Sequence, residues 1–271
     1  MDKSTRNLIF SQAKEWVLEA GANIREKVNE PMVINTKSNP NDLVTETDKE
    51  TEKFFADNIR GKYPRHLLLG EEGYGDDVSS LNGIVWIIDP IDGTMNFVHL
   101  KKHFAISIGI FHNGIGEIGL IYDVMADVLY SAQKGEGAYK NDVKLKKLSE
   151  NVLLEESIFA FNHNLLCESS DFDRNIIESL VNNIRGCRII GAAALDIAHV
   201  AEGISDGFIS KGLSPWDVAG GTVILNEVGG IASRNDGARI NMLDRGTVVA
   251  SNNVLHEKVI ANYLGQWKID S

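Results

Sequence analysis

Asn113-Gly114 stands between two apolar runs, Phe104 to Phe111 and Ile115 to Tyr122. That dipeptide accepts the left-handed backbone of a two-residue hairpin turn, so it commits the middle of the chain to antiparallel pairing. A third run, Val128 to Ala132, extends the sheet. Ahead of it, Leu8, Ile9, Ala13, Trp16, Val17, Ala20 and Ile24 recur at helical spacing, and Pro31 and the stretch from Asn35 to Asn41 break that helix. A second helix carries Phe54, Phe55 and Ile59 inward. Thr45 or Thr47 can cap its start, Thr47 with Glu50 has capping-box spacing, and Gly61 and Pro64 end it. Short strands are expected at His66 to Leu69 and Ile84 to Ile88.

Beyond about Leu148 the rhythm becomes an alternation. Strand-like segments (Ser157 to Phe161, Arg188 to Ile190, Gly207 to Ser210, Thr247 to Ser251) intervene between helical ones (Asp171 to Ile184, Ala193 to Ala201, Pro215 to Val228, Val254 to Leu264). Such alternation implies layers of helix and sheet. A soft boundary near 145–155 separates an N-terminal half, residues 1–150, of helices on an antiparallel sheet from an alternating α/β C-terminal half, residues 151–271. Nothing between them is linker-like, so the halves are expected to join tightly as one unit.

Hydrophobic residues make up 43% of the chain, enough for a sizeable core, and the formal net charge is −11. An acidic chain repels nucleic acid and anionic membrane surfaces, so neither is an expected partner, and an anionic substrate would need cations to bridge it. Cys167 and Cys187 are too few for a disulfide framework and read as small buried hydrophobes in a reducing cytoplasm. MDKSTRNLIF lacks the apolar core of a signal peptide, and no apolar run approaches the roughly 20 residues of a membrane span. The expected localisation is cytoplasmic.

The most informative segment runs from Trp86 to Phe97. A buried strand leads into Asp89, Pro90 stops further pairing, Asp92 follows three residues after Asp89, and Gly93 and Thr94 open a helix. Two carboxylates around such a turn can ligate one hard cation, or one can simply cap the turn; free N–H groups at the helix start can receive a phosphate. Three further acidic segments stand at element ends. Gly70-Glu71-Glu72-Gly73 follows an apolar strand, Pro215-Trp216-Asp217 opens a helix, and Asp48 lies in the first turn of the second helix. Each has a bland reading as a cap, a dipole partner or a solvated acid. Together they read as a convergent site, and carboxylates without histidine or cysteine select Mg²⁺ or Mn²⁺ before Zn²⁺. The cluster would repel itself without cations. Phosphoryl transfer needs mainly positioning and charge neutralisation, so no Ser-His-Asp or Cys-His nucleophile is required. His99 and His103 read as a surface face, and the basic run Lys101, Lys102, His103 as a solvated loop or an attractor of phosphate.

At these residues the chain resembles the inositol monophosphatase family. The matching blocks are Asp42-Leu-Val-Thr-Glu-Thr-Asp48, Gly70-Glu71-Glu72, Asp89-Pro-Ile-Asp-Gly-Thr94 and Trp216-Asp217-Val-Ala-Gly220, in family order. The resemblance implies an αβαβα layered sandwich of α/β (α+β) class, a homodimer, two to three Mg²⁺ per subunit and inhibition by Li⁺. It implies that Glu71, Asp89 and the Ile91 carbonyl hold the first metal, that Asp89, Asp92 and Asp217 hold the second, and that Glu71 helps a weaker third through water. Thr94 and Asp48 would position the attacking water, while Gly93 and Thr94 offer N–H groups to the phosphate. Lys37 matches a lysine often found ahead of the Asp48 block and would approach the site from its loop.

The implied activity is Mg²⁺-dependent hydrolysis of a small phosphate monoester, inositol 1-phosphate first. One departure bears on substrate choice. Inositol-selective members carry a glutamate where this chain has Ser210, and Gly191, Ala192 and Ala193 would leave room for a larger leaving group. A broad phosphatase acting on NADP(H), fructose 1,6-bisphosphate or nucleotide bisphosphates is the alternative. A regulatory binding protein on the same scaffold is the third reading.

Overall fold

The computed structural model describes residues 1–30, 34–36, 43–165 and 174–266. In chain order the elements are α1 (Lys3–Lys27), β1 (Ile34–Thr36), β2 (Leu43–Thr45), α2 (Glu46–Lys62), β3 (Leu67–Gly70), β4 (Ile84–Asp92), α3 (Thr94–His99), β5 (Ala105–His112), β6 (Ile115–Asp123), β7 (Val128–Gln133), β8 (Gly137–Lys140) and β9 (Val143–Lys144). They continue with β10 (Ile158–Phe161), α4 (Arg174–Asn183), β11 (Gly186–Arg188), α5 (Ala193–Glu202), β12 (Gly207–Leu213), α6 (Pro215–Glu227), β13 (Gly230–Ser233), β14 (Gly246–Asn252) and α7 (Asn253–Asn262). β3 to β9 form a seven-stranded sheet in sequence order; a five-stranded sheet runs β11-β10-β12-β14-β13; β1 and β2 pair alone.

Side-chain alternation along β4 shows how the layers arise. Trp86 and Ile88 point one way, into a cluster with Trp16 of α1 and Phe55 and Ile59 of α2. Val85 and Ile87 point the other way, toward Leu195 and Ile197 of α5, Val218 and Val223 of α6, and Phe208, Val248 and Ala250 of the second sheet. The far face of that sheet, with Phe159, Phe161, Ile209 and Val249, packs on Ile177 and Leu180 of α4 and Leu255 and Val259 of α7. The order is therefore helices, sheet, helices, sheet, helices: the expected αβαβα sandwich, with α5 and α6 as the shared middle layer.

Helix α6 lies directly on the first sheet because glycines remove the side chains between them. A Cβ on Gly119 would sit 2.4 Å from the Gly220 carbonyl oxygen, and one on Gly109 would sit 2.7 Å from backbone carbon of Ala219. The N-terminus of α6 is tied to β5 by Ser107 Oγ, which donates to the Trp216 carbonyl at 3.1 Å.

Several local expectations are corrected. The box that starts α2 is Thr45 with Asp48, the first of the two expected caps, not Thr47 with Glu50, because the helix begins at Glu46, two residues before a Thr47 cap would start it. Pro90 does not end β4. The strand runs on to Asp92, with a register shift against β5 between Asp89 and Asp92, while its pairing to β3 ends at Ile88 with Gly70. The missing N–H of proline therefore falls at an irregularity, where no ladder bond is lost. β3 is parallel to β4, so the first sheet is not wholly antiparallel. β11 starts two residues before its expected place. Leu8 is 69% exposed, off the face formed by Ile9, Ala13, Trp16 and Ile24. Cys187 is an exposed free thiol rather than a buried hydrophobe; Cys167 lies outside the described residues. Among the described residues no helix is long and apolar enough to cross a membrane.

Gly119→Ala is expected to destabilise the protein by about 1–3 kcal/mol through overpacking, read as a lower denaturation midpoint. Because α6 carries Asp217, the loss of activity should accompany it; unchanged stability would show that α6 can lift off the sheet freely.

Candidate active site

Four elements deliver acids to one place. β4 ends in Asp89 and Asp92 on either side of its register shift. The β3 end gives Glu71 after Gly70, α2 gives Asp48 and α6 gives Asp217. One oxygen each of Asp89, Asp92 and Asp217 lies within 4.8 Å of the others.

Backbone N–H groups orient each of these aspartates. Asp89 Oδ1 accepts from Ile91 N at 3.0 Å. Asp92 Oδ1 and Oδ2 accept from Ala193 N at 3.1 Å and Ala194 N at 2.8 Å, at the start of α5. Asp217 Oδ2 accepts from Ser214 N at 2.7 Å, and Asp48 Oδ2 from Thr45 N at 2.9 Å. Asp48 and Asp217 are both the third residue of a capping box, so the bland reading of each as a helix-start residue and the reading of each as a site residue hold together.

The pair expected to handle water is formed. Thr94 Oγ1 donates toward Asp48 Oδ1 at 3.3 Å and toward the Ile91 carbonyl at 3.2 Å. Gly93, the N-cap of α3, has φ +89°, and a Cβ there would lie 3.0 Å from Ala192 Cβ and 3.2 Å from the Gly191 carbonyl oxygen. Only glycine suits both the backbone and the space. Gly191, Ala192 and Ala193 thus stand against the Asp92–Thr94 turn, and with Asp92, Asn96 and Asp217 they line a cavity of about 450 Å³. Ser210 is not on that wall. It is fully buried, and its hydroxyl oxygen has no partner among the described residues. Lys37 and Asp42 lie outside the described residues. His99 and His103 are exposed, as expected.

Burial, then the neighbouring acids Glu71, Asp92, Asp217 and Asp48, push Asp89 well above the ordinary carboxylate range. Asp92 is raised by burial and by Asp217, against the pull of its two amide donors. Asp217 is raised to about 7 by burial and by Glu71, with Ser214 N–H and Arg245 opposing. The donor set contains oxygen alone and is held together against its own repulsion, which fits hard divalent cations.

Four residues near the site went unread in the sequence. Glu52, fully buried one turn after Asp48, accepts from Glu72 N at 2.6 Å and Tyr74 N at 2.8 Å and so fixes the loop that carries Glu71. A Cβ on Gly70 would sit 2.5 Å from its carboxyl carbon. Its place four residues after Asp48, on the face of Phe55 and Ile59, was the available signal. Ser107 pairs across from Asp89 and holds α6. Asn96 Nδ2 donates to the His103 and Ile190 carbonyls, both at 2.8 Å, joining α3 to the loop before α5. Asp196 of α5, 2% exposed, is raised to about 8 by burial. Asn96 and Asp196 had no local signal.

Three comparisons bear on the site. Residues 6–266 match the model of the inositol monophosphatase family. The chain is 52% identical over 252 residues to an inositol-1-monophosphatase of Bacillus subtilis, covering 93% of this chain and 95% of that one. Among solved structures, the 2′AMP-bound staphylococcal SaIMPase-II superposes with a TM-score of 0.87 at 42% identity over 95% of this chain and 94% of its own. An IMPase/NADP phosphatase complexed with Mg²⁺ and phosphate superposes with a TM-score of 0.88 at 28% identity over 98% and 100%.

Two outcomes follow from the geometry. Acids raised in the folded state bind more protons there than in the unfolded chain, so metal-free stability falls as pH rises from the ordinary aspartate value of about 4 toward about 7 at Asp217. In EDTA the Tm should drop between about pH 5 and about pH 8, and Mg²⁺ should restore it most at the higher pH; a flat profile in EDTA would count against the repulsion. Glu52→Ala should cost about 1–3 kcal/mol, because two half-buried amides lose their acceptor, and should raise the Mg²⁺ needed for half-maximal activity. An unaltered Mg²⁺ requirement would sever Glu52 from the site.

Proposed function

Because this chain belongs to the inositol monophosphatase family, we propose that its carboxylate site hydrolyses inositol 1-phosphate to inositol and phosphate. The protein is a phosphoric monoester hydrolase. The observation that carries the reading is the meeting of Asp89, Asp92 and Asp217 within 4.8 Å at the wall of the 450 Å³ cavity. Glu71, Asp89, the Ile91 carbonyl, Asp92 and Asp217 would hold two to three Mg²⁺. When bound, Mg²⁺ supplies positive charge to the phosphate and acidifies water.

The chain's own groups then do the rest. Thr94 accepts a hydrogen bond from the attacking water while donating to Asp48, so a proton leaving the water has a path toward the Asp48 carboxylate. Gly93 and Thr94 turn backbone N–H groups to the phosphate. Asp92, Gly191, Ala192 and Ala193 border the leaving alcohol, and the amides of Ala193 and Ala194 favour the ionised form of Asp92, opposing the burial and neighbouring acids that raise it. Inhibition by Li⁺ is expected, as in the staphylococcal relative solved as a LiCl-soaked inhibitory complex. The layers act as one unit, since Ser107 in the first sheet holds the start of α6. A homodimer would cover the exposed Leu100 at the end of α3, and the cytoplasm is the expected setting.

A second substrate class has its own support. The small side chains at 191–193 leave a wall without bulk, and relatives solved with 2′AMP or described as an NADP phosphatase share the fold. Nucleotide 2′-phosphates such as NADP(H), and sugar bisphosphates, are therefore alternative substrates.

The test is phosphate release from inositol 1-phosphate, NADP⁺ and fructose 1,6-bisphosphate, each with Mg²⁺ and with EDTA. Release should require Mg²⁺, the ratio of kcat/KM values should rank the substrates, and Asp89→Asn should abolish turnover with the fold intact. Turnover retained by that variant would overturn the mechanism.

A further inference from the structure

Asp196 is a buried acid that neither the fold nor the metal site uses. It is 2% exposed, and its Oδ1 has no hydrogen-bonding partner among the described residues. Its backbone N–H is committed to the Ala192 carbonyl within α5, so the unmet capacity belongs to the side chain. A buried polar atom left unpaired is costly and needs a reason.

Its position supplies one. Asp196 lies three residues after Ala193, on the same face of α5, and both line the cavity that Asp92 and Asp217 border. Asp196 is not part of the cluster whose oxygens converge to within 4.8 Å. Beside it on the cavity wall are Phe208 and Leu213. A carboxyl group outside that converging set, with Phe208 and Leu213 on the same wall, suits a neutral donor better than a divalent cation, which needs several oxygens. At this depth, beside the acids that would hold the metal, the neutral donors available are hydroxyls of the departing alcohol.

The geometry points to Asp196 as a specificity residue: its side-chain carboxyl group hydrogen-bonds a hydroxyl of a polyhydroxylated leaving group, and so selects polyol phosphates over phosphates of plain alcohols. This rests on the phosphatase reading above.

The experiment compares inositol 1-phosphate with cyclohexyl phosphate, the same ring without its free hydroxyls, as substrate or competitive inhibitor, for the wild type, Asp196→Asn and Asp196→Leu. Asp196→Leu should lower kcat/KM for inositol 1-phosphate about tenfold, the worth of one good hydrogen bond, chiefly through KM. Cyclohexyl phosphate should change by less than about twofold. Asp196→Asn, which keeps hydrogen-bonding capacity, should fall between. Because the leucine variant removes an unpaired buried acid, its Tm should hold or rise. Equal loss on both compounds, no loss on either, or a fall in Tm with both activities would overturn the assignment. Absence of Mg²⁺-dependent phosphate release by the wild type would instead sink the phosphatase reading itself.

Discussion

Three carboxylates that repel one another must be held within reach of a common cation before that cation arrives, and much of the architecture serves this requirement. Burial and mutual repulsion raise Asp89, Asp92 and Asp217. What opposes the repulsion is a set of backbone amides that leave no freedom to the side chains: Ile91 N for Asp89, Ala193 N and Ala194 N for Asp92, Ser214 N for Asp217. Amides are suited to this because secondary structure already fixes them, so orienting the acids costs little extra entropy. The first turn of a helix has such donors to spare. That is why two site acids are capping-box residues and a third is gripped by the start of α5.

The same requirement explains the close packing of α6. Asp217 arrives from a helix that has to approach the sheet bearing Asp89, and Gly109, Gly119 and Gly220 permit contact at backbone distance. Ser107, opposite Asp89 in the ladder, then fastens the Trp216 carbonyl next to Asp217. On the other flank Glu52 fixes the Glu71 loop from within α2. Each acid that faces the cation is thus backed by a residue on rigid structure, which is what keeps a charged constellation at working distances.

Features with a local cause were legible in the sequence. The Asn113-Gly114 turn is local, and both residues adopt positive φ. The apolar stripe of α1 is local apart from Leu8, and the acids betrayed themselves by standing beside glycine, proline or threonine at element ends. Two readings turned on local competition. Thr45 and Thr47 both carry the right chemistry for a cap, and the box falls to Thr45 because β2 ends there. Pro90 reads as a strand stop, yet the strand tolerates it where its register shifts. The short strands β8, β9 and β13 have too little apolar pattern to announce themselves. The unread supports share a different cause: Ser107 to Trp216 and Asn96 to Ile190 span about a hundred positions in the chain, and no local pattern encodes a partner so distant.

The site also draws on the second sheet, so its completeness depends on the middle layer. Asp92 sits on β4, but the amides that hold it start α5, and the cavity beside it is floored by Phe208 and Leu213 of β12. Neither the oriented carboxylate nor the cavity beside it exists until α5 is clamped between the two sheets. A cation that binds the assembled oxygens therefore stabilises the whole stack, since anything that binds only the folded state shifts the equilibrium toward it. Catalytic competence and the packing of the five layers are in this sense one equilibrium.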